Sequence, residues 1–196
     1  MVLPLLVLLP FLAVVIPLVL ANRSRNVLAA GVALAPALGL ILLLMQSQAV
    51  LGGEVLTYFV PWVSQLGLNI SLRLDGLSFL FALLIFGIGL LVILYARYYL
   101  SAQEKAGRFF AFLLLFMGAM LGVVLASNLL LMMIFWELTS LSSFLLIGFW
   151  SYRRDARQGA RMALAVTGGG GLALLAGVLI IGRVVGSFEL SEVLAA

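Results

Sequence analysis

Six apolar runs dominate this chain, and each is close to the roughly 20 helical residues that are needed to cross a bilayer core. The runs cover residues 2–21, 27–45, 77–96, 109–126, 129–150 and 162–182. The chain as a whole is 65% hydrophobic and only 9% charged, whereas soluble domains are about 45–50% apolar. The sequence therefore predicts an all-α membrane protein, with residues 1–196 forming a single transmembrane region of six helices.

Basic residues alternate from one connection to the next. The connections after the first, third and fifth runs carry nine of them: Arg23, Arg25, Arg97, Lys105, Arg108, Arg153, Arg154, Arg157 and Arg161. Basic loops stay in the cytoplasm, so we expect a multi-pass protein with its N-terminus outside, anchored to the lipid bilayer. The basic residues form no continuous stripe for a phosphate backbone, so the net charge of +4 does not indicate a nucleic-acid partner.

The stretch between the second and third runs, residues 54–75, is too polar to cross a membrane. Its second half alternates apolar with polar residues, the apolar ones being Leu68, Ile70, Leu72 and Leu74. A period of two is typical of a half-buried strand. With Pro61 and Gly67 as breakers, the stretch predicts a short surface hairpin between the second and third helices.

One acid, Glu137, stands inside the fifth apolar run. A charged carboxylate at the centre of a membrane helix costs on the order of 2.5–3.5 kcal/mol, and such acids usually serve ion or proton movement. Loss of water favours the uncharged carboxyl, so we expect Glu137 to load and unload a proton. The alternative is that it stays protonated and only hydrogen-bonds a neighbouring helix.

Hydroxyl groups surround this acid in the sequence. Ser140 lies one turn onward on the same helix face and Thr139 on an adjoining face, so both are candidates for a hydrogen-bonded surface beside Glu137. The chain contains no His and no Cys. It therefore lacks imidazole and thiolate metal ligands and the usual nucleophile systems. We predict no metal site and no cofactor.

Three other charged residues are secondary candidates. Arg108 and Arg161 are basic candidates on the helices before and after that of Glu137, but both stand at cytoplasmic helix ends, where a role in guiding ions competes with anchoring to anionic headgroups. Asp75 precedes the third helix, and we favour helix capping over ion coordination for it. Four successive glycines at 168–171 lack the ending of a phosphate-binding loop, so they predict close helix packing.

Three stretches carry a resemblance to a known family. Residues 74–78 read Leu-Asp-Gly-Leu-Ser, residues 108–111 read Arg-Phe-Phe-Ala, and residues 127–148 include Ser-Asn-Leu-Leu and Phe-Trp-Glu-Leu-Thr-Ser. They resemble the antiporter-like membrane subunits shared by Mrp-type multisubunit Na+/H+ antiporters and NADH:quinone oxidoreductase, complex I. The resemblance implies that Glu137 is a proton relay, and that its partner in the family is a lysine on a broken seventh helix.

The residues around the glutamate separate the two branches of the family. Leu138, Thr139 and Ser140 follow Glu137 here, whereas the large complex I subunit usually has glycine next. The A-type subunit of Mrp antiporters is the better match. This resemblance implies that the chain is the N-terminal part of a longer membrane subunit. That subunit would belong to a monovalent cation/proton antiporter in the bacterial inner cell membrane. The implied partners are other antiporter subunits, protons and Na+, and the chain is a transporter component rather than an enzyme.

Two alternatives stay open. The first is a proton-translocating membrane subunit of complex I, which would make the chain part of an NADH:quinone oxidoreductase. The second is a structural assembly fragment without transport of its own. It is motivated by length, since the sequence ends after the sixth run, before the lysine-bearing helix of the family, and we expect a fragment, a truncated reading frame or a split gene product.

Overall fold

The computed structural model describes residues 2–101 and 103–196. In this part of the chain six helical spans are long and apolar enough to cross a membrane, which confirms the predicted architecture: Val2–Val19, Arg25–Leu44, Gly76–Tyr99, Ala106–Leu125, Leu129–Ile147 and Arg154–Val185. The first span consists of α1 (Val2–Ala13) and α2 (Val15–Val19). The other five spans are α3, α5, α6, α7 and α8 in that order, and α4 (Ser47–Leu51) and α9 (Leu190–Ala195) are short.

The last span is longer than its apolar run. Hydrophobicity predicts 162–182, whereas α8 begins at Arg154 and ends at Val185. The added first turns are rich in Arg and Ala, which are good helix formers, and Asp155 in the first turn suits the positive end of the helix dipole. Gly186 ends the helix at a φ of 82°. The basic connection is thus largely helical, which a hydropathy pattern does not reveal.

The hairpin lies between α4 and α5. Strand β1 (Leu56–Val63) pairs antiparallel with β2 (Leu68–Leu74), so that Leu56 faces Leu74 and Tyr58 faces Leu72. Gly67 makes the turn with a φ of 67°, a conformation that favours glycine. Leu72 and Leu74 are buried. The hairpin therefore covers one end of the helix bundle.

Helix α6 is the centre of the bundle, and it contacts α1, α5 and α7. Glycines permit the close approach: a Cβ at Gly118 would collide with the ring of Phe11, and one at Gly122 with the ring of Phe135. Small residues at such contacts are the usual means of packing membrane helices. Helix α8 packs mainly on α7 and is the most exposed of the six spans.

Asn128 ties three parts of the hairpin end of the bundle together. Its Oδ1 accepts hydrogen bonds from the backbone N–H groups of Leu130 and Leu131, both at 3.1 Å, and so caps α7. Its Nδ2 donates to the Gly67 carbonyl at 2.9 Å and to Glu189 Oε1 at 2.8 Å. The side chain is 1% exposed. It thereby links the hairpin turn, the start of α7 and the segment after α8.

Replacing Asn128 with alanine is expected to lower the free energy of unfolding by about 1.5–5 kcal/mol. The lost cap accounts for about 0.5–2 kcal/mol, and each lost hydrogen bond adds about 0.5–1.5 kcal/mol. Thermal unfolding of the purified protein in detergent measures the change. Asn22→Ala, at an exposed asparagine, is the control. Equal unfolding temperatures for the two variants would contradict the assigned role of Asn128.

Candidate functional site

Glu137 lies near the middle of α7. It is the ninth residue of this 19-residue helix, about 12 Å along the axis from Leu129 and about 15 Å from Ile147. Its carboxylate rests directly against Gly171 of α8, because a Cβ built at Gly171 would overlap Glu137 Oε1. Gly171 is buried, and Glu137 is half-buried. Glycine at this position thus makes room for the carboxylate between the two helices.

Glu137 and Gly171 both line a groove between α7 and α8. The groove has a volume of about 490 Å³, and among the described residues that line it Glu137 is the only charged one. Apolar side chains form most of the remaining wall, namely Leu66, Leu68, Leu130, Met133, Ile134, Leu138, Leu172 and Leu175. Leu66 and Leu68 belong to the hairpin region, so the groove runs from Glu137 toward the hairpin. A carboxyl placed in this way can exchange a proton with a group that enters the groove.

The hydroxyl groups near Glu137 bond to their own helix. Thr139 Oγ1 donates to the Trp136 carbonyl at 2.6 Å, and Ser140 Oγ donates to the same carbonyl at 3.4 Å. Backbone carbonyls one turn earlier are the acceptors nearest to such side chains in a helix. Within residues 2–101 and 103–196, Ser140 and Thr139 form no hydrogen bond with the carboxylate. Both residues therefore lie close to Glu137 along α7, but their hydroxyl groups bond to the backbone and not to the Glu137 carboxylate.

Arg108 and Arg161 lie together, but at a distance from Glu137. Both line a second cleft of about 420 Å³ at the end of the bundle opposite the hairpin. Arg108 Nη2 donates to the Phe149 carbonyl at 2.8 Å, and that end of α7 is about 15 Å along the axis from Glu137. Neither arginine is placed to pair with the carboxylate.

Asp75 caps α5, as the sequence favours. The Ser78 backbone N–H donates to Asp75 Oδ1 at 2.9 Å, and the Asp75 N–H donates to Ser78 Oγ at 2.7 Å. Arg73 Nη2 lies 3.2 Å from Asp75 Oδ2. The hydrogen bond from the Ser78 backbone has the largest effect and lowers the pKa of Asp75. Burial opposes it, and the Ser78 hydroxyl and then Arg73 lower the pKa further. These contacts join the hairpin to α5 and give Asp75 a structural role.

Sequence reasoning missed the role of Gly171. The four-glycine run predicts close packing, but positions 168, 169 and 170 have no atom within 4 Å of where a Cβ would stand. Only the last glycine of the run meets neighbouring side chains, and the nearest of them is Glu137. The sequence does place a glycine run on the helix that follows the one with the intramembrane acid, and this pairing could have indicated a contact between them. It does not tell which glycine faces the acid.

The fold and this site define a polytopic membrane protein with a carboxyl group set between two of its spans. Two family models match the chain: "NADH-Ubiquinone oxidoreductase (complex I), chain 5 N-terminus" at residues 59–110 and "NADH:quinone oxidoreductase/Mrp antiporter, TM" at residues 126–196. The chain belongs to this NADH:quinone oxidoreductase/Mrp antiporter family of membrane subunits.

Individual relatives agree with the Mrp branch. A Rhizobium meliloti (strain 1021) protein, named as the A/B subunit of a probable K(+)/H(+) antiporter, is 58% identical over 146 residues, which cover 74% of this chain and 15% of that protein. The A1 subunit of an Na(+)/H(+) antiporter of Staphylococcus aureus is 43% identical over 185 residues, covering 94% of this chain and 23% of that protein. The predicted resemblance to the A-type Mrp subunit is thereby confirmed.

A solved structure gives the same result for the fold. The Mrp complex from Dietzia sp. DQ12-45-1b contains a chain that superimposes with a TM-score of 0.87 at 30% identity. The match covers all of this chain and 21% of that chain. The present chain therefore spans less than a quarter of the length of each of these three relatives.

Proposed function

We propose that this chain is a membrane subunit of a multisubunit monovalent cation/proton antiporter in the bacterial cell membrane, and that Glu137 is a proton relay in it. One observation carries the proposal. The Glu137 carboxylate lies midway along a membrane span, seated on the glycine backbone of α8 and facing an apolar groove. Intramembrane acids in such positions mark proton and ion pathways.

Gly171 and the groove have different roles in this proposal. Gly171 sets the position of the Glu137 carboxyl group, because no side chain separates that group from α8. The groove, which Glu137 and Gly171 both line, leaves the carboxyl accessible to a second proton-carrying group. The lysine implied by the family resemblance would approach from the groove. A proton can pass between the carboxyl group and the lysine only when the two groups come within hydrogen-bonding distance of each other.

We propose Na+ as the exchanged cation, with K+ as the alternative. The names of the two relatives differ on this point, since one reads K(+)/H(+) and the other Na(+)/H(+). Everted vesicles that hold the assembly containing this chain, acidified inside by respiration, distinguish the cations. A pH-sensitive dye should report proton release from the vesicles on addition of one of the two salts. No response to either salt, above that of vesicles without this chain, would contradict antiport.

A complex I subunit is the second candidate function. It is favoured by the match of residues 59–110 to a model named for complex I. In that case the purified assembly should oxidise NADH with a quinone acceptor. NADH oxidation coupled to proton movement, together with no response to Na+ or K+ in the vesicle experiment, would select this function over antiport.

We also propose that the N-terminus and the hairpin lie outside the cell. The basic connections at Arg23, Lys105 and Arg153 lie at the opposite end of the helices, and basic loops stay in the cytoplasm. The chain contains no Cys, so a single introduced cysteine is the only thiol in it that a reagent can label. A membrane-impermeant thiol reagent should label Gln65→Cys in intact cells and Ser151→Cys only in everted vesicles. The reverse pattern would overturn the orientation.

A further inference from the structure

The cleft opposite the hairpin has features that the relay mechanism does not use. It lies where α6, α7 and α8 meet, and three arginines line it: Arg108 from α6, and Arg157 and Arg161 from α8. Its apolar wall includes Phe112, Phe144 and Leu145. Among the described residues that line the cleft there is no carboxylate. The cleft is therefore a site of concentrated positive charge beside an apolar surface.

The charged and apolar residues are ordered by depth. Arg108 is the third residue of α6, and Phe112 lies one turn farther into the helix, about 6 Å deeper. Phe144 lies in the last turn of α7, which ends at Ile147. The arginines of α8 lie in its first two turns. In a bilayer crossed by these spans, this order sets the guanidinium groups at the membrane surface and the apolar wall toward the hydrocarbon.

The hydrogen bonds of the three arginines leave their positive charges without an acidic partner. Arg108 donates to the Phe149 carbonyl, and its guanidinium lies 5.4 Å from the Phe149 ring centre. Arg157 Nη1 donates to the Ser151 carbonyl at 2.7 Å, and Arg161 Nε donates to the Arg157 carbonyl at 3.3 Å. The one salt bridge in the described part of the chain lies at the other end, between β2 and α5.

Two acids stand near this end of the bundle. Glu104, in the connection before α6, accepts hydrogen bonds from the Trp150 indole N–H and the Ser101 backbone N–H. Asp155 is exposed in the first turn of α8. Neither of them lines the cleft.

We propose that this cleft binds one anionic phospholipid. The guanidinium groups hold the phosphate, since planar guanidinium forks match phosphate oxygens in pairs. The upper part of an acyl chain lies against Phe112, Phe144 and Leu145. Basic pockets between membrane helices on the cytoplasmic side are suited to such headgroups. The apolar wall favours a lipid over free phosphate, which would contact only the rim. This site rests on the proposed orientation of the chain, but it is independent of the antiport proposal.

Native mass spectrometry of the purified protein in detergent tests the site. Phosphatidylglycerol is expected to bind about tenfold or more tightly than phosphatidylcholine. The double variant Arg157→Gln/Arg161→Gln should lose most of this preference. Arg153→Gln/Arg154→Gln is the matched control, because it removes the same charge from the same segment at residues that do not line the cleft. This control should bind the lipid like the unmodified protein.

Three results would overturn the proposal. One is unchanged phosphatidylglycerol binding by the Arg157/Arg161 variant. Another is an equal loss in both double variants, which would indicate general surface charge. The third is inorganic phosphate binding as tightly as the lipid, since the apolar wall would then contribute nothing. Photoactivatable phosphatidylglycerol provides a test without any variant: it should crosslink to the peptide containing Phe144 and Leu145, and crosslinking only elsewhere would contradict the site.

Discussion

Replacing Glu137 with glutamine is expected to reduce antiport in everted vesicles to the level of vesicles that lack this chain. Glutamine keeps the size of the side chain and can still hydrogen-bond, but it cannot bind and release a proton. Proton transfer by a positioned side chain contributes about a hundredfold or more to a rate, so its removal should have an effect of that order. The assembly should remain intact, because Glu137 forms no salt bridge with any described residue and glutamine has nearly the same size.

Two further variants separate the relay from general effects of charge. Glu54→Gln removes an exposed acid before the hairpin and should leave antiport unchanged. Glu137→Asp keeps a carboxyl group but withdraws it by one methylene from Gly171, so partial activity is expected. If Glu137→Gln and Glu54→Gln show the same antiport activity at equal protein levels, Glu137 is not a proton relay and only stabilises the contact between the helices.

Replacing Gly171 with alanine is expected to lower antiport about tenfold to a hundredfold without unfolding the protein. The added Cβ would occupy the place of Glu137 Oε1. The carboxylate, at the end of a flexible side chain, must therefore move, and displacements of about 1 Å can cost a hundredfold in rate. Alanine favours a helix by about 1 kcal/mol over glycine, so α8 itself should not weaken. Vesicle assays with matched protein levels measure the loss.

The neighbouring glycine provides a matched control. Gly170→Ala adds the same methyl group to the same helix, with the same gain in helix propensity, but nothing lies within 4 Å of its Cβ position. It should retain full antiport. The difference between the two variants isolates the displacement of Glu137. Equal activity of Gly171→Ala and Gly170→Ala would mean that the position of the carboxylate against α8 has no part in transport.

Features carried by local patterns were predictable from the sequence. Six spans follow from apolar runs of bilayer length, and the hairpin follows from alternation such as that at Leu72 and Leu74. Glu137 was identifiable as a candidate because an acid is costly in such a run. The start of α8 at Arg154 was missed, since a charged helical extension carries no hydrophobic signal. The presence of each helix could thus be predicted from the composition of its apolar run, but the residues at which the helices begin and end could not.

Contacts between distant residues could not be predicted in the same way. Asn128 and Glu189 are 61 residues apart, and their hydrogen bond depends on how the hairpin and the segment after α8 meet. Gly171 is likewise one of four consecutive glycines, and its contact with Glu137 depends on the rotation of α8 about its axis. Such contacts are set by packing in three dimensions. The sequence therefore indicated the candidate acid but not the surface against which it is placed.

Infrared difference spectroscopy of the purified assembly, recorded while protons are driven through it, tests the central proposal most directly. It reports the carbonyl stretch of a protonated carboxyl group, which appears or disappears as a proton binds or leaves. We predict such a signal in the unmodified protein, its absence in Glu137→Gln and its persistence in Glu54→Gln. The same carboxyl signal in the unmodified protein and in Glu137→Gln would contradict proton transfer through Glu137.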